Sequence, residues 1–160
     1  MHLILRICAF AALAILVASC GPSPEFMVVR EIDGEAWHRD SMLVFEVPVT
    51  DTSATYRVEI DLRHAGDYPY RNLYLGRDVL NSAGTVYEDT VEFQLASPDG
   101  RWLGEGIAGL KTLSMAYRQE GLRFPKAETY RFRVQHLMRD EPLRGIHSVA
   151  LKLYRSDGKN

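Results

Sequence analysis

Apolar and polar residues alternate with a period of two along most of this chain. Thr55–Arg63 shows it most plainly: Tyr56, Val58, Ile60 and Leu62 interleave with Arg57, Glu59, Asp61 and Arg63. In an extended chain successive side chains point to opposite faces, so this run predicts a strand with one buried and one wet face. Ser41–Val49 puts Leu43, Phe45, Val47 and Val49 on one face. Tyr70–Leu75, Tyr87–Leu95, Ser114–Arg118, Thr129–Gln135 and Ser148–Tyr154 are further candidate strands. Turn-forming clusters separate them, among them Asp51-Thr52-Ser53, His64-Ala65-Gly66-Asp67, Asn81-Ser82-Ala83-Gly84, Pro98-Asp99-Gly100 and Arg144-Gly145. Many short strands divided by turns predict an all-β fold, an antiparallel β-sandwich of jelly-roll type. Gly104–Gln119 is ambiguous. Ile107, Leu110 and Leu113 have the spacing of a short helix, but three glycines oppose it.

The first twenty residues break this pattern. Ile7–Ala18 is uninterruptedly apolar behind a single charge, Arg6, and the segment closes on Val17-Ala18-Ser19-Cys20. Twelve apolar residues fall short of the ~20 needed to span a bilayer and match the hydrophobic region of a signal peptide. Small residues directly before a cysteine are the pattern of a bacterial lipoprotein signal. The Cys20 thiol receives a diacylglyceryl group, cleavage before it frees an amine, and that amine takes an N-acyl chain. The expected organisation is a signal peptide over 1–19, a lipidated tether over 20–25 and a single β-sandwich domain over 26–160. Several acyl chains on one residue anchor stably to a membrane, since each buried methylene adds ~0.8 kcal/mol. No Asp follows Cys20, and Gly21-Pro22-Ser23-Pro24-Glu25 reads as an extended tether, so the outer membrane is the expected destination.

Composition narrows the partners. The 160 residues are 46% hydrophobic and 25% charged, which is the usage of a globular domain. Loss of Arg6 with the signal leaves 18 basic and 21 acidic side chains, a net charge of −3. Such a surface has no excess of cations for a phosphate backbone, and no nucleic-acid partner is expected. The two cysteines are Cys8, in the signal, and Cys20, so no disulfide is expected in the domain.

Candidate chemistry is sparse. Gly104-Glu105-Gly106-Ile107-Ala108-Gly109 fits G-x-G-x-x-G, but it follows a Pro-Asp-Gly turn within an all-β pattern instead of a strand leading into a helix. It reads as a strand connection. His38, His64, His136 and His147 are scattered without metal-ligand spacing, so no metal and no other cofactor is expected beyond the lipid on Cys20. Glu88, Asp89 and Glu92 could mark a hydrolase carboxylate pair or a solvated strand. Tyr68-Pro69-Tyr70-Arg71-Asn72-Leu73-Tyr74 is the richest segment. Tyr68, Tyr70, Arg71, Asn72 and Tyr74, together with Trp102, could form a recognition surface for protein or sugar. The alternative packs the three tyrosines on one strand face in the core.

The same segment carries a family resemblance. Leu62-Arg63-His64 followed by Tyr68–Leu75 resembles the central motif of GldH, a gliding-motility lipoprotein family of Bacteroidetes. Asp89-Thr90-Val91-Glu92-Phe93, Pro98–Gly104, Arg123-Phe124-Pro125, Tyr130–Arg139 and Leu143-Arg144-Gly145-Ile146 match in order, so the resemblance runs from Phe26 to Leu153. It implies a non-catalytic lipoprotein of the outer cell envelope. It also implies partners among other gliding lipoproteins and, directly or through them, the type IX secretion and motility machinery. The lipidated Cys20 is the site residue it transfers. A surface carbohydrate-binding lipoprotein is the alternative expectation, and an envelope hydrolase a third.

Overall fold

The alternation is realised as ten strands in a computed structural model that describes residues 22–156. They are β1 (Phe26–Glu31), β2 (Ala36–Trp37), β3 (Leu43–Pro48), β4 (Thr55–Ala65), β5 (Asn72–Asn81), β6 (Gly84–Gln94), β7 (Leu110–Ala116), β8 (Thr129–His136), β9 (Leu143–Arg144) and β10 (Ile146–Ser156). A 3-10 turn at Asp33–Glu35 is the helical element among the described residues. The signal segment and Cys20 lie outside them.

Two four-stranded sheets, β1-β10-β4-β7 and β3-β8-β5-β6, face each other, with a small β2-β9 sheet beside them. Every pairing is antiparallel. Of the connections between the eight long strands, the β5–β6 hairpin alone stays within a sheet, and each of the others crosses the sandwich. That is jelly-roll connectivity. Val58, Ile60 and Leu62 of β4 and Val149, Leu151 and Leu153 of β10 form one inner face, each at most 2% exposed. Phe45, Val47, Leu73, Leu75, Phe132 and Val134 form the other, each at most 1% exposed.

The helical alternative over Gly104–Gln119 is not adopted: β7 occupies its centre, hydrogen-bonded to β4 from Leu110 to Ala116. The glycines before it are required by close approach. The backbones of Glu105 and Thr112 exchange two hydrogen bonds of 2.8 and 3.1 Å. A Cβ on Gly106 would lie 2.1 Å from the Leu110 carbonyl oxygen, and one on Gly104 2.7 Å from that of Thr112. The literal G-x-G-x-x-G thus builds a tight hairpin onto β7.

Candidate functional site

The tyrosine-rich segment lies between β4 and the start of β5, at one end of the sandwich. β5 begins at Asn72, so Tyr68 and Tyr70 precede the strand and Tyr74 points from it in the direction opposite to Leu73 and Leu75. The three tyrosines therefore do not share a strand face. Tyr68 is buried, its hydroxyl donates to the Asn72 carbonyl at 3.2 Å, and its ring meets those of His64 and Tyr70. Trp102 lies against the His64 ring at 4.5 Å and donates its indole N–H to the Gly66 carbonyl at 3.0 Å. Tyr68 is packed into this end of the domain, and Trp102 is partly buried against it. Arg71 is exposed but engaged. Its carbonyl accepts the Leu95 and Ala96 amides, and its Nη1 donates to the Pro98 carbonyl at 3.0 Å.

Tyr70 and Tyr74 flank a surface cavity of about 530 Å³ walled by Thr90, Leu137, Met138, Arg139 and Asp140. The Leu137 amide donates to the Tyr74 carbonyl at 2.8 Å, and the Tyr74 amide to the Met138 sulfur at 3.4 Å, so β5 positions the far wall. Tyr70 donates its hydroxyl to Asp140 Oδ2 at 2.6 Å, and this hydrogen bond is the main reason its phenol titrates above the usual range. Glu92 accepts from Asn72 Nδ2 at 2.6 Å, from Gln94 Nε2 at 2.9 Å and from the Tyr74 hydroxyl. Those donors, Asn72 first, lower the Glu92 carboxyl below its ordinary value, while Glu92 in turn raises Tyr74. The cavity thus presents two phenol rings and apolar walls, with Arg139 and Asp140 at the rim. Its one lining carboxylate, Asp140, is held by the Tyr70 hydroxyl, and the Tyr74 hydroxyl is held by Glu92 outside the cavity lining.

The three clustered carboxylates separate by face. Glu88 and Glu92 project outward from β6, whereas Asp89 points inward and meets Arg77 of β5. Arg77 is 5% exposed; its Nε and Nη2 bond both Asp89 oxygens at 2.9 and 2.5 Å, and its Nη1 donates to the Tyr117 carbonyl at 2.6 Å. Tyr87 adds a third bond to Asp89 at 2.5 Å. Burial opposes ionisation of Asp89, but the Arg77 and Tyr87 bonds outweigh it and leave the carboxyl below its ordinary value. Sequence reasoning missed Arg77. The signal was its inward register in Leu73-Leu75-Arg77-Val79, where a charge stands in an apolar series.

Among the scattered histidines, His38 Nδ1 lies 2.8 Å from Glu141 Oε1 and His147 Nδ1 3.1 Å from Glu35. His64 and His136 are fully buried. His38, Asp40 and Glu141 form the one grouping of potential metal ligands among the described residues, with ligand atoms within 4.8 Å of one another, and all three are exposed. The fold brings Glu141 to His38 and Asp40, although 103 positions separate His38 from Glu141 in sequence. Glu141 Oε2 already accepts the Arg39 amide at 2.9 Å.

A family model described as GldH lipoprotein matches residues 25–153, from the start of β1 to within the last four residues of β10. The Gliding motility lipoprotein GldH of Flavobacterium johnsoniae is 32% identical over 151 residues, covering 90% of this chain and 92% of its own. A GldH homolog of Christiangramia forsetii is 31% identical over 150 residues, covering 89% and 91%. Among solved structures, Eiger TNF from S. frugiperda aligns with a TM-score of 0.38 at 12% identity over 87% of this chain and 92% of its own. Latent PorU from Porphyromonas gingivalis aligns with a TM-score of 0.33 at 8% identity, over 88% of this chain and 14% of its own. Both scores are too low to bear on function. With a family model spanning the whole sandwich and a relative 32% identical over nine-tenths of its length, the chain belongs to the GldH lipoprotein family of gliding motility.

Proposed function

We propose that this chain is a non-catalytic, lipid-anchored protein of the outer membrane that acts through protein contacts made by its jelly-roll domain. Diacylglyceryl and N-acyl chains on Cys20 hold it there, and its partners are other gliding lipoproteins and, directly or through them, the type IX secretion and motility machinery. The observation that carries the reading is the family match across the whole sandwich. The Tyr70–Tyr74 cavity supplies the contact surface, because tyrosine rings beside an arginine are the residue types enriched in interface hot spots. The test places a photo-crosslinking residue at Tyr74 in living cells and identifies the captured proteins by mass spectrometry. Recovery of envelope motility or secretion components, reduced when Tyr70 is changed to Ala, supports the proposal. A monomeric product in motile cells counts against it.

A second reading, carbohydrate binding, rests on the same two tyrosine rings. It is weaker than the sequence suggested, because Trp102 has its indole N–H bonded to Gly66 and its ring against His64. Glycan-array binding abolished by Tyr74→Ala would favour it over the first.

A further inference from the structure

We propose that the free edge of β6 docks an extended segment of another protein as an added antiparallel strand, selected by two basic residues four positions apart. This goes beyond the contact surface at Tyr70 and Tyr74: it shares Thr90 with that cavity and Glu92 accepts from the Tyr74 hydroxyl, but it rests on the backbone edge of β6 and on Glu88. β6 ends its sheet, and ten of its eleven residues pair with β5, its one neighbour, Val86 being passed over at a register shift. At the opposite side of the sandwich, edge strands β1 and β3 lie together, tied by Arg30 Nε to the Val44 carbonyl at 2.9 Å. Between β6 and β7 lies a groove of about 610 Å³ lined by Tyr87, Val91, Phe93, Met115, Tyr117 and Arg118, crossed at one end by the Tyr87 and Tyr117 rings at 6.0 Å and by Arg118 over Tyr87. An edge of unpaired amides and carbonyls is a template for one more strand.

Charge along the edge decides which strand fits. On the outer face β6 presents Glu88, Thr90 and Glu92. Glu88 makes no ion pair among the described residues, and the guanidinium across the sheet, Arg133, is forked onto Asp78 at 2.6 and 2.7 Å. Glu92 is held by neutral donors from Asn72, Tyr74 and Gln94. Among the described residues Glu92 therefore has no cation set against it, and Glu88 has only a share of the Arg133 charge, whose hydrogen bonds go to Asp78. A second copy of β6 added antiparallel about Thr90 would place Glu88 opposite Glu92 twice, and like charges directly opposed destabilise a pair. A foreign strand with Lys or Arg at both positions gains where the copy loses, which is specificity by repulsion as much as by attraction. On the inner face the same register sets apolar side chains against Phe93, Val91 and Tyr87. A small hydroxyl faces Asp89, whose charge Arg77 already offsets.

The probe is a fluorescent heptapeptide, Val-Lys-Val-Thr-Thr-Lys-Val, titrated into the full-length lipoprotein in nanodiscs by polarisation. Its charge-swapped twin carries Glu at both Lys positions. The expected result is that the Lys peptide binds, weakens about tenfold for Glu88→Lys/Glu92→Lys, and weakens with added salt. The Glu peptide should bind the doubly reversed protein and not the native one, so the variant is shown folded by its own gain. Glu46→Lys, on the exposed face of β3, should change neither affinity. An N-methylated Lys peptide, with alternate amides blocked, should lose binding. Absence of Lys-peptide binding at 1 mM, equal affinity of both peptides for both proteins, or undiminished binding of the N-methylated peptide overturns the proposal.

Discussion

Arg77 and Asp89 set an ion pair at the inner face of the sandwich. Arg77 is 5% exposed, so removing its partner strands a buried guanidinium. Asp89→Ala should cost about 3–5 kcal/mol, because the Tyr117 carbonyl alone cannot replace the lost charge. Arg77→Met should cost less, about 1–3 kcal/mol, since the orphaned carboxylate keeps its Tyr87 donor. The double change should cost less than Asp89→Ala alone, and denaturant melts of the three proteins measure the coupling. His64 and His136 set a different dependence. Burial lowers both, with Lys111 adding to the effect at His64 and Arg39 and His38 at His136, where Glu141 opposes it. Their folded values thus lie below the ~6.5 of the unfolded chain. Below pH ~6.5 the unfolded state binds protons that the fold refuses, so stability falls as pH falls through this window. The slope has an upper bound of about 2.7 kcal/mol per pH unit for the two together, since each group can contribute at most about 1.4 kcal/mol per pH unit. Urea melts between pH 7.5 and 5.5 measure it, and His136→Gln should remove about half the slope. Flat stability across that range would show the histidines titrating alike in both states.

At the scale of elements, β4 tests the alternation itself. Ile60 is 0% exposed between β10 and β7, whereas Glu59 faces outward beside Arg57. Ile60→Ala should cost 2–5 kcal/mol through lost burial and the cavity left behind, and Glu59→Ala under about 1 kcal/mol. Equal losses at the two positions in denaturant melts would contradict the assigned faces. How far the sequence reveals each strand depends on what each face meets. β4 and β8 are legible because one face is core and the other is water. β1 is not, since Phe26, Met27, Val28 and Val29 are all apolar while Met27 and Val29 remain about half exposed. β5 shows only its first half, because Arg77 occupies an inward position and breaks the apolar series. The Tyr68–Tyr74 segment announces itself by composition. Which rings pack and which face outward follows from where β5 begins, and sequence alone does not fix a strand's first residue.

The whole molecule is a jelly roll whose first strand starts six residues after Cys20. Six extended residues reach roughly 20 Å, so lipidation at Cys20 would hold the start of β1 within that distance of the bilayer. β1 is an edge strand, and β6 belongs to the facing sheet at the other side of the sandwich. An anchor at β1 therefore leaves the β6 edge and the Tyr70–Tyr74 cavity available to partners. Cys20→Ala removes the thiol that the lipid needs without touching a described strand. The expected outcome is an unlipidated chain that no longer fractionates with the outer membrane and no longer supports motility. Its melting temperature should match that of the lipidated protein. Mass spectrometry of the native N-terminus provides the decisive measurement: a diacylglyceryl-modified, N-acylated Cys20 at the first position confirms the anchor. An unmodified Cys20, or a chain beginning elsewhere, would remove the basis for placing the domain at a membrane by its N-terminus.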